Sequence, residues 1–526
     1  MDKNAGIELH LKPTAGIGDV SVSDGLKSTN QDAIDMQRLG RKQELKRNFT
    51  SFSILGFASI IQLTWPSVIS SSAFGLLNGG RAGTIYVFIG VWFCMFAVAA
   101  SLGELCSMAP TAAGQYHWVS EFGPPRFQRF LSFVVGWLSA LGWQACLAVG
   151  AYSAATLTLE LVSLNIPSYT PAAWHGTLTT VAYGLFATVF NIYLARRLPM
   201  IEGVILFLFV FGFAATIVPL WVTAPKAGTS EVFGEFANYG GWPTIGAATV
   251  VGSLTSVSSF FGTDSPAHEI HMAEEIRNAS RVMPRVMMSA VALNGCMGLV
   301  VLITLMYVVT DIKTMVADST STFPFIGIFC YATGSRAGAT GMACIELIMS
   351  AACAISALAV ASRQAWSFSR DNGLPFSGWF RKVTNIGTPI PLNSILASLF
   401  ITVIIALINL GGTQAYNSIL GLLTGSAGFS YILSIGCVLL KRIKGEPLPE
   451  SSFSLGKWGI PINLLAIGFT FFQVIISFFP MYKETTAENM NWGWAMFVGV
   501  TLIATVYYIA HGRKVYTGPV LLIRKE

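Results

Sequence analysis

Charge is scarce in this sequence. Asp, Glu, Lys and Arg make up 11% of the 526 residues, while 53% are hydrophobic; an average soluble domain is about 25% charged. Soluble chains of such length divide into domains with polar exteriors, so the deficit excludes a water-soluble fold and points to lipid as the solvent. The formal net charge of +6 is too small to imply a nucleic-acid partner. The eight Cys include no CxxC pair and no framework spacing, and most lie inside apolar runs. A disulfide scaffold is thereby excluded, and the Cys read as small buried hydrophobes. No ten-residue alternation runs through the sequence, which argues against a β-barrel. No cleavable signal peptide is visible, because residues 1–48 are polar throughout.

What is present is a series of long apolar runs. A spanning helix needs about 20 mostly apolar residues, and twelve such runs occur, at roughly 50–77, 83–108, 130–162, 172–193, 199–222, 245–273, 284–310, 340–368, 392–410, 414–440, 459–480 and 492–511. Backbone groups in lipid must be satisfied internally, so each run is expected to be a helix. Residues 1–48, rich in Ser, Thr, Asp and Lys, read as a disordered tail. The membrane-spanning domain is expected over 49–512, with a short C-terminal tail over 513–526.

Lys and Arg set the orientation. One alternating set of connections and tails holds 23 of the 32 basic residues, among them Arg38, Arg126, Arg196, Arg281, Arg381 and Lys441, and the other set holds five: Arg81, Lys226, Lys313, Arg336 and Lys483. Both termini are therefore expected in the cytoplasm, and an even number of spans fits the asymmetry. The sequons at Asn48 and Asn278 then face the cytoplasm and carry no glycan.

Two spans are interrupted. The first reads IIQLTWPSVISSS around Pro66, and the sixth reads SVSSFFGTDSPAHEIHMAEE around Gly262, Asp264 and Pro266. Proline removes a donor and clashes with the carbonyl one turn back. Broken helices five spans apart point to a transporter with inverted repeats, spans 1–5 and 6–10, with two further helices appended. Ordinary proline kinks are the alternative, since Gly and Pro are frequent in membrane helices.

A carboxylate at a helix centre costs about 2.5–3.5 kcal/mol on insertion scales, so Asp264 is expected to face a cavity or a partner. It either binds a substrate ammonium, takes a proton, or does both; alternatively it caps the free amides near Ala267 or His268. Glu104 ends span two on the inside, where meeting water is the plain reading, and Glu346 lies in the second turn of span eight from the outside, lining a vestibule or snorkelling. His268, Glu269, His271, Glu274 and Glu275 form a charged run, but its histidines are three apart where HExxH needs four. The charged end of a helix leaving lipid is the plainer reading, and no metal or cofactor is expected. Trp65, Trp137, Trp143, Phe260 and Phe261 gather near the midplane, where aromatic faces can hold quaternary ammonium or simply pack. Ser350, Ser356 and Ser362 on span eight read more as packing residues than as ligands.

Several stretches carry a resemblance: GLLNGGRAGTIY, SLGELCSMAPTAAGQYHWVSEFGP, GWLSALGWQACLAVGAYSAAT, AEEIRNASRVMPR and ASRQAWSFSRDNGLPF. Together, over residues 50–510, they resemble the fungal amino-acid/choline transporter family of the amino acid–polyamine–organocation superfamily. The resemblance implies an all-α membrane protein with a five-plus-five inverted repeat, and a site between spans 1, 3, 6 and 8. It also implies proton-driven uptake of choline, γ-aminobutyrate or other amines and amino acids. Trp65 matches the Trp at the first break, Gly262 and Asp264 match the G-x-D at the second, and Glu274 and Glu275 match the EE pair beyond it. Three features near these motifs depart from the pattern. Pro66 stands where many relatives have Glu, Arg81 and Ala82 stand where PA is common, and the segment between Asp264 and Glu274 is about three residues longer. Phe209 also stands in span five where many relatives carry His.

The expected substrate site comprises Thr64, Trp65, Ser67, Trp143, Phe261, Gly262, Thr263, Asp264 and Ser356, with Asp264, Glu104 and Glu346 as proton-coupling groups. The expected protein is a plasma-membrane importer (a vacuolar membrane is the alternative) of a small nitrogenous solute. Its partners are protons, lipid and, at the N-terminal tail, trafficking machinery. A carrier for a specialised metabolite and a non-transporting sensor are the alternatives. An enzyme ranks third, because no nucleophile elbow, phosphate loop or full metal motif occurs.

Overall fold

The computed structural model describes residues 51–111, 113–265, 278–309, 312, 324–386, 389–408, 415–487, 490–516 and 518–519. The expected tail 1–48 and the run His268–Glu275 lie outside the described residues.

Helices dominate. The first half contains α1 (Ser51–Gln62), α2 (Thr64–Leu77), α3 (Gly80–Met108), α4 (Gln115–Phe122), α5 (Gln128–Asn165), α6 (Ala173–Tyr193), α7 (Leu198–Thr223) and α8 (Thr229–Gly234). The second contains α9 (Ile245–Gly252), α10 (Leu254–Ser258), α11 (Ala279–Val308), α12 (Phe325–Thr333), α13 (Arg336–Arg370), α14 (Leu392–Ala406) and α15 (Ala415–Ile443), followed by α16 (Gly459–Ile476) and α17 (Gly493–Tyr507). A two-residue hairpin, β1 (Thr384–Asn385) with β2 (Pro389–Ile390), precedes α14. Nine helical stretches among the described residues are long and apolar enough to cross a membrane. α6, the α9–α10 pair and α14 occupy the places of the fourth, sixth and ninth expected spans. The protein is an all-α integral membrane protein with the expected order of twelve spans.

Local chemistry explains the ends. Thr244 accepts the Ala247 amide at 3.1 Å and starts α9, and Ser335 accepts the Gly338 amide at 3.2 Å and starts α13. Asn372 closes α13 with φ 56°, and the Gly373 amide reaches back to the Phe368 carbonyl at 2.9 Å; this is the Asp-Asn-Gly stop of the SRDNGLPF stretch. Gly80 has φ +69°, and a Cβ there would meet the Ala237 amide nitrogen at 2.6 Å. Only glycine permits that approach.

The first break lies at Leu63, three residues before Pro66. Leu63 adopts φ 48° and ψ 36°, a left-handed conformation that costs a non-glycine residue about 1–2 kcal/mol. Pro66 sits in the first turn of α2, where an amide would be without an intrahelical partner anyway. The sixth span stops at Ser258 and turns through Gly262, whose φ is +81°. α5 packs along α13 and α15, and α11 packs along α2 and α3, so the two breaks lie inside a ring of long helices.

Candidate functional site

The two breaks are stitched to each other. Thr64 donates its hydroxyl to the Ser259 carbonyl at 2.6 Å, and Gln62 donates to the Thr263 hydroxyl at 3.0 Å. Ser259 donates to the Ser67 hydroxyl at 3.3 Å, and Thr255 donates to the Ser71 carbonyl at 3.0 Å. A helix terminus buried in lipid must find partners for its backbone groups, and each broken helix supplies some of them to the other.

A cavity opens beside these stitches. It is bounded by Gln62, Leu63, Ser67 and Ser70 from the first span, Ser258 and Phe261 from the sixth, Cys146 and Ser153 from α5, Glu346, Ser350 and Cys353 from α13, and Tyr416 from α15. None of its described lining residues is Lys, Arg or His. Glu346 is 2% exposed; its Oε1 accepts from the Ser70 hydroxyl at 2.7 Å, and its Oε2 has no hydrogen-bond partner.

The expected residues separate into groups. Ser67, Phe261 and Glu346 line the cavity. Trp143 packs edge-on against Phe261 at 5.7 Å and backs its wall. Thr64, Gly262 and Thr263 build the breaks; a Cβ on Gly262 would come within 2.5 Å of the Ile61 side chain. Trp65 is fully buried and turned toward α7, with Phe209 at 5.7 Å and Phe213 at 6.2 Å. Asp264 is not among the cavity-lining residues. It accepts from Gln115 of α4 at 2.7 Å and from the Tyr431 hydroxyl of α15, and so ties the broken sixth span to two other elements. Ser350, read from the sequence as a packing residue, reaches the cavity.

Glu104 accepts two contacts of 2.6 Å from Arg442 and the Leu455 amide at 2.8 Å, a buried ion pair at the end of α3. Ser356 donates at 2.7 Å to Glu202 of α7. Glu202 is fully buried and its Oε2 has no partner. Sequence reasoning passed over Glu202, although an acidic residue inside a span is itself a functional signal. It also passed over Gln62, Ser70, Ser153 and Tyr416, whose types give no warning in a membrane helix. No group of three or more potential metal ligands occurs among the described residues.

The cavity sits at paired helix breaks, an arrangement that holds small solutes at mid-membrane. Comparison with known proteins agrees. The family profile described as amino acid permease matches residues 49–502. The choline transporter of Saccharomyces cerevisiae is 30% identical over 98% of this chain and 89% of its own length. An uncharacterised amino-acid permease of Schizosaccharomyces pombe is 30% identical over 99% of this chain and 94% of its own. Among solved structures, a manganese transporter of Eremococcus coleocola superposes with a TM-score of 0.57 at 12% identity, covering 93% of this chain and 98% of that one. At that identity the likeness speaks for the fold alone.

Proposed function

This chain belongs to the amino acid permease family, and from that premise we propose that it is a proton-coupled importer of a small amine, amino acid or choline-like solute. It is a carrier rather than an enzyme. The observation that supports this reading is the cavity at the two cross-bonded breaks, with polar groups from five spans around it. The solute sits in that cavity. Asp264, bound to Gln115 and Tyr431, is the latch that must let go when the sixth span moves. The proton rides on a core carboxylate, Asp264 or Glu202, while Glu104 is engaged with Arg442 and holds structure. Basic residues put both termini in the cytoplasm, the membrane is the plasma membrane, and the N-terminal tail serves trafficking.

Uptake by cells lacking their own permeases tests this, with labelled choline, γ-aminobutyrate, basic and neutral amino acids and polyamines. One of these classes is expected to accumulate and to be released when a protonophore collapses the gradient. Binding without accumulation would make the protein a sensor. Accumulation indifferent to the protonophore would remove protons from the account.

A further inference from the structure

Glu346 is a buried carboxyl group that the protein leaves half satisfied. Its Oε1 takes one hydroxyl, from Ser70, and its Oε2 takes none, although the side chain is buried. An ionised carboxylate withdrawn from water loses several kcal/mol of solvation unless a cation or several donors replace it. The cavity wall provides no such cation among its described residues.

The same wall offers an anion hydroxyls but no cationic group among its described residues. Its Gln62 amide is engaged with Thr263, its Ser70 hydroxyl with Glu346, and its Ser258 hydroxyl with the Thr255 carbonyl at 3.1 Å. The start of α2 faces the break, but Pro66 removes one of its first backbone donors. A helix N-terminus is a natural carboxylate seat only while its amides are present. Phe261 and Tyr416, by contrast, add aromatic rings to the lining, and aromatic faces attract alkylammonium groups.

We infer that the cavity selects its solute by positive charge, with Glu346 as the counter-ion, and that its substrate class is a small organic monocation without a free carboxylate. A primary ammonium would donate to Glu346 Oε2; a quaternary one would supply charge alone and lie against the aromatic faces. A zwitterion would bring a second carboxylate into a cavity that already holds one. The inference rests on the cavity's being the substrate site.

Matched solutes test it, in the full-length protein expressed at the surface of permease-deficient cells. Choline is compared with glycine betaine, and 4-amino-1-butanol with γ-aminobutyrate, each pair differing chiefly in a carboxylate. The wild-type protein is expected to favour the monocation of each pair about tenfold or more, the scale of one hydrogen bond to a charged group. Glu346→Gln should raise KM for the monocation by a similar factor and erase the preference, while Glu346→Asp retains part of it. A preference for the carboxylate-bearing member, or a monocation preference unchanged in Glu346→Gln, would overturn the inference while leaving the importer reading intact. Accumulation of neither member by the wild type, nor of any other solute, would instead remove the importer reading and this inference with it. Should Glu346→Gln fail to reach the surface, the wild-type ratio and Glu346→Asp decide.

Discussion

Inside lipid a carboxylate persists only where something answers its charge, and four carboxylates here are answered in different ways. Glu104 has Arg442, Asp264 has Gln115 and Tyr431, Glu346 has one hydroxyl and an open cavity, and Glu202 has one hydroxyl from Ser356. Glu202 lies away from the cavity lining, at the contact of α7 with α1 and α13. Motion of these helices against one another would change its access to water, as required of a group that takes a proton on one side and releases it on the other. Glu202→Gln is therefore expected to abolish accumulation against a gradient while preserving solute exchange in counterflow, which needs no net proton movement. Counterflow and uptake measured over a pH series decide it; wild-type accumulation with an unaltered pH profile would transfer the role to Asp264. Asp264 was legible because it stood beside a broken helix. Glu202 was not, because it lies only about one turn inside the end of its span, where an acidic residue resembles one that simply meets water.

Broken helices are the elements on which the architecture depends, and their existence was legible from Pro66, Gly262 and Pro266. The register of the first was not. Proline marks a helix start as readily as an interruption, and Leu63, a residue with no intrinsic taste for left-handed backbone, makes the turn because Thr64, Gln62 and Ser67 are bonded across it. Those partners lie about 200 positions away in the chain, beyond any local pattern. Nor could rotation of the helices be read: Ser350 meets the cavity and Ser356 meets Glu202, and serines in membrane helices serve packing and ligands alike. Glu104 shows the same limit, since its partner comes from the far end of α15. Arg442→Ala should strand a buried carboxylate at a cost of about 3 kcal/mol. The detergent-purified variant should melt well below the wild type, with KM and the pH profile of uptake unchanged. A changed pH profile with unchanged melting would instead place Glu104 in the proton path.

At the scale of the whole molecule, side-chain contacts clamp the spans to one another in two places. On one side Arg81 of α3, buried, meets Glu235 at 2.5 Å and Glu231 at 3.4 Å and donates to the Val309 carbonyl at 2.6 Å, pinning α8 over the helix ends. On the other, Asp264 fastens the sixth span to α4 and α15. Under the proposed orientation Arg81 faces outward and Asp264 inward, and the proposed carrier cycle would release the two in turn. The number and order of spans were legible because lipid imposes length and polarity on every helix. The clamps were not, because ion pairs and side-chain contacts are set by tertiary packing. The central claim is that solute occupies the cavity at the paired breaks, and the chain carries its own reporters there: Cys146 and Cys353 line the cavity as free thiols. The direct measurement uses the full-length protein in liposomes, with the other six cysteines replaced, and follows modification of these two by a small cationic methanethiosulfonate. Modification is expected to stop uptake, and the transported solute at saturation is expected to slow modification at least about tenfold. Modified protein that still transports, or a modification rate untouched by solute, would contradict the account.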